Sequence, residues 1–349
     1  MKLRNLFAGV LALIIAFAFA ACTEKENEKN DQVSDFHSQN TDGSNGNLLI
    51  YLVLKESVTY DSEGQVTQRI TVEDNEDGLP AAVTIEGERA GTITYTYNGK
   101  YAVASLYYER DDGRHMYFEF TDFGENAKRD EYKEGEVDKS STYAYDDGNR
   151  LISRIDTEPG SSKADKTITY EYKLNDQGLV VEELEFVNGE EYYITEIEYD
   201  DEGRELRYSG AYIGKDPYIR VSEYDENGNI VKSTEYTADT EDACTTYTYD
   251  DQDRLLKSLT IANGEETAYV ENTYDGNGNL IKHVYYSKDM GERHYEYEYG
   301  QNNALCKRFY YIKGELTNYT EFTWFDRTVS LEKNVGLAID REFSIMEEK

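Results

Sequence analysis

From about residue 97 onward the chain reads as short alternating runs cut by polar turns. In TITYEY, Ile168, Tyr170 and Tyr172 fall on one side while Thr167, Thr169 and Glu171 fall on the other, the period of two that marks a β-strand. TEIEY before Asp200 and HYEYEY ending at Tyr299 show the same parity. Runs that follow the turns, such as LIKHVYY from Leu280, alternate less cleanly, which predicts strands covered on both sides. Apolar spacing of helical period is nearly absent, so the expected class is all-β.

The runs repeat. YDDEGREL at Tyr199, YDENGNI at Tyr224, YDDQDRLL at Tyr249 and YDGNGNL at Tyr274 start 25 residues apart, and Tyr299 and Trp324 continue the register. Going backward, Tyr172 and Tyr145 precede at intervals of 27, Phe120 at 25, and Tyr97 opens a weaker copy. A glycine falls ten residues before most of these anchors, at Gly135, Gly189, Gly214, Gly264 and Gly314. Each repeat therefore holds two turns and two strands. Asp, Asn and Gly in the turns supply positive φ and side-chain-to-backbone hydrogen bonds, as tight hairpins require. The expected architecture is a tandem array of ~25-residue β-hairpins in an extended or curved antiparallel sheet. Its inward anchors would be Tyr145, Tyr172, Tyr199, Tyr224, Tyr249, Tyr274, Tyr299 and Trp324.

Composition sharpens this picture. Hydrophobic residues make up only 38% of the chain, too few for a thick aliphatic core, but 33 Tyr and 12 Phe replace part of the missing apolar mass and separate the chain from disordered acidic sequences. The formal charge of -35 excludes nucleic acid and anionic lipid head groups as partners, since phosphate binding needs clustered Lys and Arg.

The first residues read as an address. Lys2 and Arg4 precede an uncharged run from Leu6 to Ala21, short for a membrane span and suited to a signal peptide over 1–21. Phe19, Ala20, Ala21 and Cys22 resemble a bacterial lipobox, with Phe19 where Leu is usual. By that resemblance Cys22 is the acylated first residue of the mature protein and the link to the membrane. Residues 22–47 are polar and read as a flexible tether. Their opening TEKENE resembles the export tag of surface-exposed Bacteroidetes lipoproteins, and equally an ordinary acidic linker. The expected location is the bacterial outer membrane, at the cell surface, with the periplasmic face as the alternative. The repeat array would occupy 48–328, with 329–349 as a C-terminal cap.

Tyr-Asp-x-x-Gly-Asn/Arg-Leu, recurring with an intervening glycine turn from Tyr97 to Trp324, resembles the YD or RHS repeat family. The resemblance implies β-hairpins packed side by side into a curved or spiralling sheet. Long members of the family enclose a C-terminal toxin; this chain is too short to wrap a separate enzyme. A short, lipid-anchored repeat protein is what the resemblance implies here.

Candidate chemistry is sparse. DENGN from Asp225 and DGNGN from Asp275 superficially resemble calcium loops, but the sixth-place Gly and the acidic twelfth are missing, and turn chemistry accounts for them. The four histidines, at 37, 115, 283 and 294, form no zinc pattern, and no nucleophile or phosphate-loop motif occurs. No metal and no cofactor is expected. The tyrosine pairs Tyr285 with Tyr286 and Tyr310 with Tyr311 must each place one ring on either face, and are the candidate contacts for an unidentified protein or glycan ligand. Cys244 and Cys306 lie five strands apart, ~24 Å in a plain meander, which predicts free thiols. The expected role is a noncatalytic binding or structural module. The alternative is a glycan-active enzyme with a carboxylate pair hidden in an irregular repeat, to be sought between Glu109 and Glu134 or near Pro159.

Overall fold

The computed structural model describes residues 50–330, apart from 77–78, 88–89, 98–102, 122–124, 163, 239 and 301–302, and side chains between 54 and 324. Cys22, the signal peptide, the tether and residues 331–349 lie outside the described residues. The strands are β1 Ile50–Asp61, β2 Val66–Asp74, β3 Pro80–Gly87, β4 Gly91–Tyr97, β5 Val103–Arg110, β6 His115–Phe120 and β7 Asn126–Lys133. They continue as β8 Glu136–Tyr145, β9 Leu151–Thr157, β10 Lys166–Leu174, β11 Val180–Val187, β12 Glu190–Tyr199, β13 Glu205–Tyr212, β14 Tyr218–Tyr224 and β15 Ile230–Thr237. The last are β16 Thr240–Tyr249, β17 Leu255–Ala262, β18 Glu265–Tyr274, β19 Leu280–Ser287, β20 Gly291–Tyr299, β21 Leu305–Ile312 and β22 Glu315–Ser330. The stretch from Glu109 to Glu134 forms regular hairpin strands, Pro159 lies in the β9–β10 connection, and the boundary drawn at 328/329 falls inside β22.

Each strand runs antiparallel to its chain neighbours, and β1 pairs with both β2 and β22, so the 22-stranded sheet closes into a barrel. The extended or curved open sheet expected from the repeats is therefore corrected. An open sheet leaves two rows of unpaired backbone donors and acceptors, which closure removes. The seam runs from Ile50↔Ser330 to Asp61↔Asn318 with two register shifts. Thr59 and Thr320 share a buried hydroxyl hydrogen bond of 3.0 Å within it, and Tyr60 stacks on Tyr319 at 4.8 Å. Closure does not bring the thiols together: Cys244 on β16 and Cys306 on β21 are free.

Two kinds of turn define two rims. On one rim, Asn188 and Gly189 have φ of 53° and 84°, and Asn263 and Gly264 of 53° and 77°, the paired left-handed residues of type I′ hairpins. On the other lie the Tyr-Asp turns of the 25-residue repeats, in which the Asp carboxylate accepts two backbone amides: Asp200 Oδ1 from Glu202 at 3.1 Å and from Arg204 at 2.8 Å. Asp225 and Asp275 bind their own turns in the same way, so the suspected calcium positions have a backbone role. Since β1 leads away from the Tyr-Asp rim and β22 returns to it, both ends of the barrel leave from that rim.

Cross-strand partners share a face, and every second residue belongs to the other. The face that carries Tyr172, Tyr199 and their equivalents is the anchor face. On it, Ile70, Val83, Ile85, Ile93, Tyr95, Val103, Leu106, Tyr108, Phe118 and Phe120 form the main core, across β2 to β6. A second cluster joins Tyr297, Leu305 and Phe322 to Leu54, Leu280, Tyr299 and Trp324 around the seam.

The seam hydroxyl pair yields a test. Thr320→Val strands the buried hydroxyl of Thr59, and removes an acceptor of Arg308 Nη2, and should cost about 1–3 kcal/mol in urea unfolding, whereas the double change with Thr59→Val should recover the part of that loss due to Thr59. Equal losses in the single and double variants would show that the pair does not couple the two chain ends.

Candidate functional site

The anchor residues have a common structural task. From Tyr172 onward each ring reaches back to the first strand residue after the preceding anchor turn and donates to its carbonyl: Tyr172 to Leu151 at 2.7 Å, Tyr199 to Val180 at 3.0 Å and Tyr224 to Glu205 at 2.8 Å. The series continues with Tyr249 to Ile230 at 2.8 Å, Tyr274 to Leu255 at 3.1 Å, Tyr299 to Leu280 at 3.0 Å and Trp324 Nε1 to Leu305 at 2.8 Å. Burial pushes the Tyr145 hydroxyl up to about 12 and raises that of Tyr199. Where the turn ends in Arg, the guanidinium bridges the turn Asp to the next anchor. Arg204 binds Asp200 at 2.6 Å and lies 5.0 Å over the Tyr224 ring; Arg254 binds Asp250 at 2.7 Å and lies 4.5 Å over Tyr274. Asn229 and Asn279 replace Arg in alternate turns and reach instead to the next turn, at Asp253 and Asn303.

The four candidate ligand tyrosines divide as their parity requires. Tyr285 and Tyr310 lie on the anchor face, where Tyr310 is 2% exposed and stacks on Tyr295 at 4.8 Å. Tyr286 and Tyr311 lie on the opposite face, but each already stacks on a cross-strand ring, Tyr269 at 5.0 Å and His294 at 4.4 Å. Tyr286, Tyr310 and Tyr311 thus each have one ring face taken by a neighbouring ring.

A better-formed site lies on β11 to β14. Tyr193 and Tyr208 meet over Gly210, where a Cβ would come within 2.3 Å of the Tyr193 hydroxyl and 2.9 Å of the Tyr208 hydroxyl. Tyr212 packs edge-on against Tyr193 at 5.1 Å and Tyr192 at 5.2 Å, and Tyr218 sits 6.4 Å from Tyr208. Tyr212 and Tyr218 are nevertheless exposed, which is unusual for rings on the anchor face, and Tyr192, unpaired at the β11–β12 register shift, is exposed beside Tyr212. Glu185 pairs with Tyr193 in the ladder and Glu183 lies one step further along the same face. Burial, and then the neighbouring Glu185, raise the carboxyl of Glu183. Arg220 binds Glu205 at 2.7 Å and covers the Tyr208 ring at 5.6 Å. The patch thus combines open aromatic rings with acceptors and a donor. Its sequence signal was Gly210 inside a strand, between Tyr208 and Tyr212, where a glycine marks close approach by another group.

The opposite face carries cross-strand ion pairs around the wall. Glu56 pairs with Arg69, Lys232 with Glu223 at 2.8 Å, Lys257 with Glu271 at 2.7 Å, Lys282 with Glu296 at 3.1 Å and Lys307 with Glu321 at 2.8 Å. The anchor face is charged as well, through Arg129 with Glu131, Arg154 with Asp156 and Arg220 with Glu205.

This architecture defines a closed β-hairpin repeat protein. Residues 224–266 match the RHS Repeat family, and the repeats of this chain are of that type. No curated protein sequence matches the chain. Among solved structures, a TcdB2–TccC3–TEV crystal structure is similar over 74% of this chain at 13% identity, with a TM-score of 0.39; the match spans 16% of that chain. The Photorhabdus luminescens Tc holotoxin pore carrying a TccC3 mutation matches over 75% of this chain and 19% of its own, at 12% identity and a TM-score of 0.27. A porin-like protein from Bacteroides uniformis matches over 78% of this chain and 97% of its own, at 12% identity and a TM-score of 0.27. None of these three likenesses reaches a TM-score of 0.5.

Two predictions test the assignments. Tyr224→Phe removes only the hydrogen bond to Glu205 and should cost about 0.5–1.5 kcal/mol, while Tyr224→Ala should cost about 3–5 kcal/mol by emptying the core position. Urea titration of both variants checks the pair, and a neutral Tyr224→Ala would remove the anchor from the core. The second concerns acid. In Asp146 the Arg150 amide leads in holding the carboxyl below its usual range; in Asp200 and Asp250 burial opposes, and the turn amides and Arg partners outweigh it. Depressed carboxyls contribute stability above the unfolded value of about 4, which is lost as pH falls through the folded one. The melting temperature should therefore drop steeply in acid, and less steeply in Asp200→Asn, which keeps an acceptor for the turn. A Tm unchanged from pH 7 to pH 3 would refute it.

Proposed function

We propose that this chain is a noncatalytic binding module, held at the bacterial outer membrane by a lipid on Cys22, whose barrel stands in water and displays the tyrosine patch of β12 to β14 to a glycan. A closed β-barrel is compatible with an outer-membrane or cell-surface location, and the ion pairs on both faces of the wall carry this reading. A membrane-spanning barrel needs an apolar outer band ~25 Å tall, and charges there cost about 2–4 kcal/mol each at mid-membrane. Whichever face is turned outward, this wall would place several charged pairs in hydrocarbon. Membrane attachment then rests on the acylated Cys22 and the 22–47 tether. The exposed rings of Tyr192, Tyr212 and Tyr218, beside Glu183, Glu185 and Arg220, suit a polyhydroxylated ligand, with ring faces for its C–H surface and carboxylates for its hydroxyls.

The test compares cells that produce the wild type with cells that produce Cys22→Ala, by membrane fractionation and protease shaving. The wild type should float with membranes and be shaved, and Cys22→Ala should be released without detergent. A Cys22→Ala chain that stays in the membrane would defeat the tether. Separately, Tyr212→Ala and Tyr218→Ala should abolish glycan-array binding with little change in Tm. Undiminished binding would move the site elsewhere. The raised carboxyl of Glu183 beside Glu185 favours a second reading, a glycan-cleaving site. In that case Glu183→Gln would abolish hydrolysis of bound glycan, whereas a binding module shows no hydrolysis to lose.

A further inference from the structure

We propose that the anchor face of β19 to β21 holds an oxyanion site, built on Arg293, Lys313 and Tyr285, that takes the carboxylate of an acidic sugar. Arg129, Arg154 and Arg220 on the same face each meet a carboxylate, at Glu131, Asp156 and Glu205. Arg293 stands in no ion pair among the described residues, and its Nε is buried without a hydrogen-bond partner there. The register explains the difference. From β19 to β21 no Asp or Glu falls on the anchor face, because Glu292, Glu296 and Glu298 all stand on the opposite one. Burial raises the hydroxyls of Tyr295 and Tyr310, and the positive charge of Arg293 acts against it in both. A chain of formal charge -35 thus carries one positive sector on this face.

Arg293 pairs across the ladder with Tyr285 on one side and Ile312 on the other. Tyr285 is half-buried and stacks on no other ring among the described residues. Lys313 follows Ile312, and its amide donates to the Glu292 carbonyl at 3.0 Å. Its Cε would stand 3.4 Å from a Cβ placed on Gly291, which shares the anchor face with Arg293 one alternation, ~7 Å, along β20. The lysine stem therefore lies over the notch that Gly291 leaves, and its ammonium is exposed and outside every ion pair among the described residues. A half-buried guanidinium without a counter-charge is unfavourable, and a bound anion removes that penalty. Guanidinium offers a carboxylate a planar fork of donors, while the open ring of Tyr285 suits the C–H face of a sugar. A free phosphate or sulfate would use the cations and leave the ring idle. Arg293 lies two residues into β20 from the type I′ rim, so the site is reached from that rim whichever face is turned outward. It is seven strand steps from the β13 tyrosines, ~34 Å along the wall, and does not rest on the reading of that patch.

The experiment is calorimetric titration of the mature, non-acylated chain with trigalacturonate and with its methyl ester, which differ only in charge. The acid should bind at least about tenfold more tightly than the ester. Arg293→Gln should remove that preference, Arg293→Lys should keep part of it, and Tyr285→Ala should weaken acid and ester alike. If Arg293→Gln does not fold, Lys313→Ala, at an exposed position, decides by weakening the acid alone. Equal affinities for acid and ester, displacement of the acid by equimolar inorganic sulfate, or an unchanged preference in the deciding variant overturns the proposal. Tyr212→Ala and Tyr218→Ala should leave this titration unchanged, so the two sites stand or fall separately.

Discussion

The structure depends on one recurring hydrogen bond, from the anchor tyrosine to the carbonyl that follows the preceding turn. Ladder bonds hold neighbouring strands, but they do so with any sequence and set no period. The hydroxyl of Tyr224 on Glu205 ties one hairpin to the one before, and Trp324 does the same with an indole N–H on Leu305. A buried hydroxyl left unpaired would be costly, so each ring has a single favourable depth and direction. The turn Asp carries the constraint outward. It binds its own loop and, through Arg204 or Arg254, the ring of the next repeat. Repeats of this type are stacked by polar contacts set into an aromatic layer, which is how so acidic a chain makes a continuous wall.

Closure changes what such a wall can be. Repetition alone would leave β1 and β22 as edges, and an edge recruits other chains. Here the first and last strands satisfy each other over a long antiparallel register, with Thr59 against Thr320 and Tyr60 against Tyr319. Both chain ends then leave from the Tyr-Asp rim, so an N-terminal tether would attach there, and the type I′ rim would lie farthest from it. Charged pairs stand on both faces of that wall.

Much of this was legible in the sequence. The 25-residue phase located the anchors and both sets of turns, because tight turns demand Gly, Asn and Asp at fixed offsets. The parity of Ile168, Tyr170 and Tyr172 assigned faces that the register confirms. Closure was not legible: it depends on the accumulated bend of every hairpin, and the Tyr60-Asp61 turn that ends β1 lies outside the repeat phase that located the other anchors. The ligand tyrosines were chosen by adjacency alone, which places one ring on each face but says nothing of stacking partners. The tyrosines around Gly210 were not singled out, because a glycine inside a strand signals close approach without saying by what; here it leaves room for two hydroxyls.

The most direct test of the account is hydrogen exchange in the seam of the mature, non-acylated chain in detergent-free buffer. The account predicts a monodisperse protein in which amides of β1 and β22 from Ser57 to Thr59 and from Thr320 to Phe322 are as protected as those of β14 and β15. A chain that requires detergent, or seam amides that exchange at the rate of frayed edges, would contradict a closed barrel standing in water.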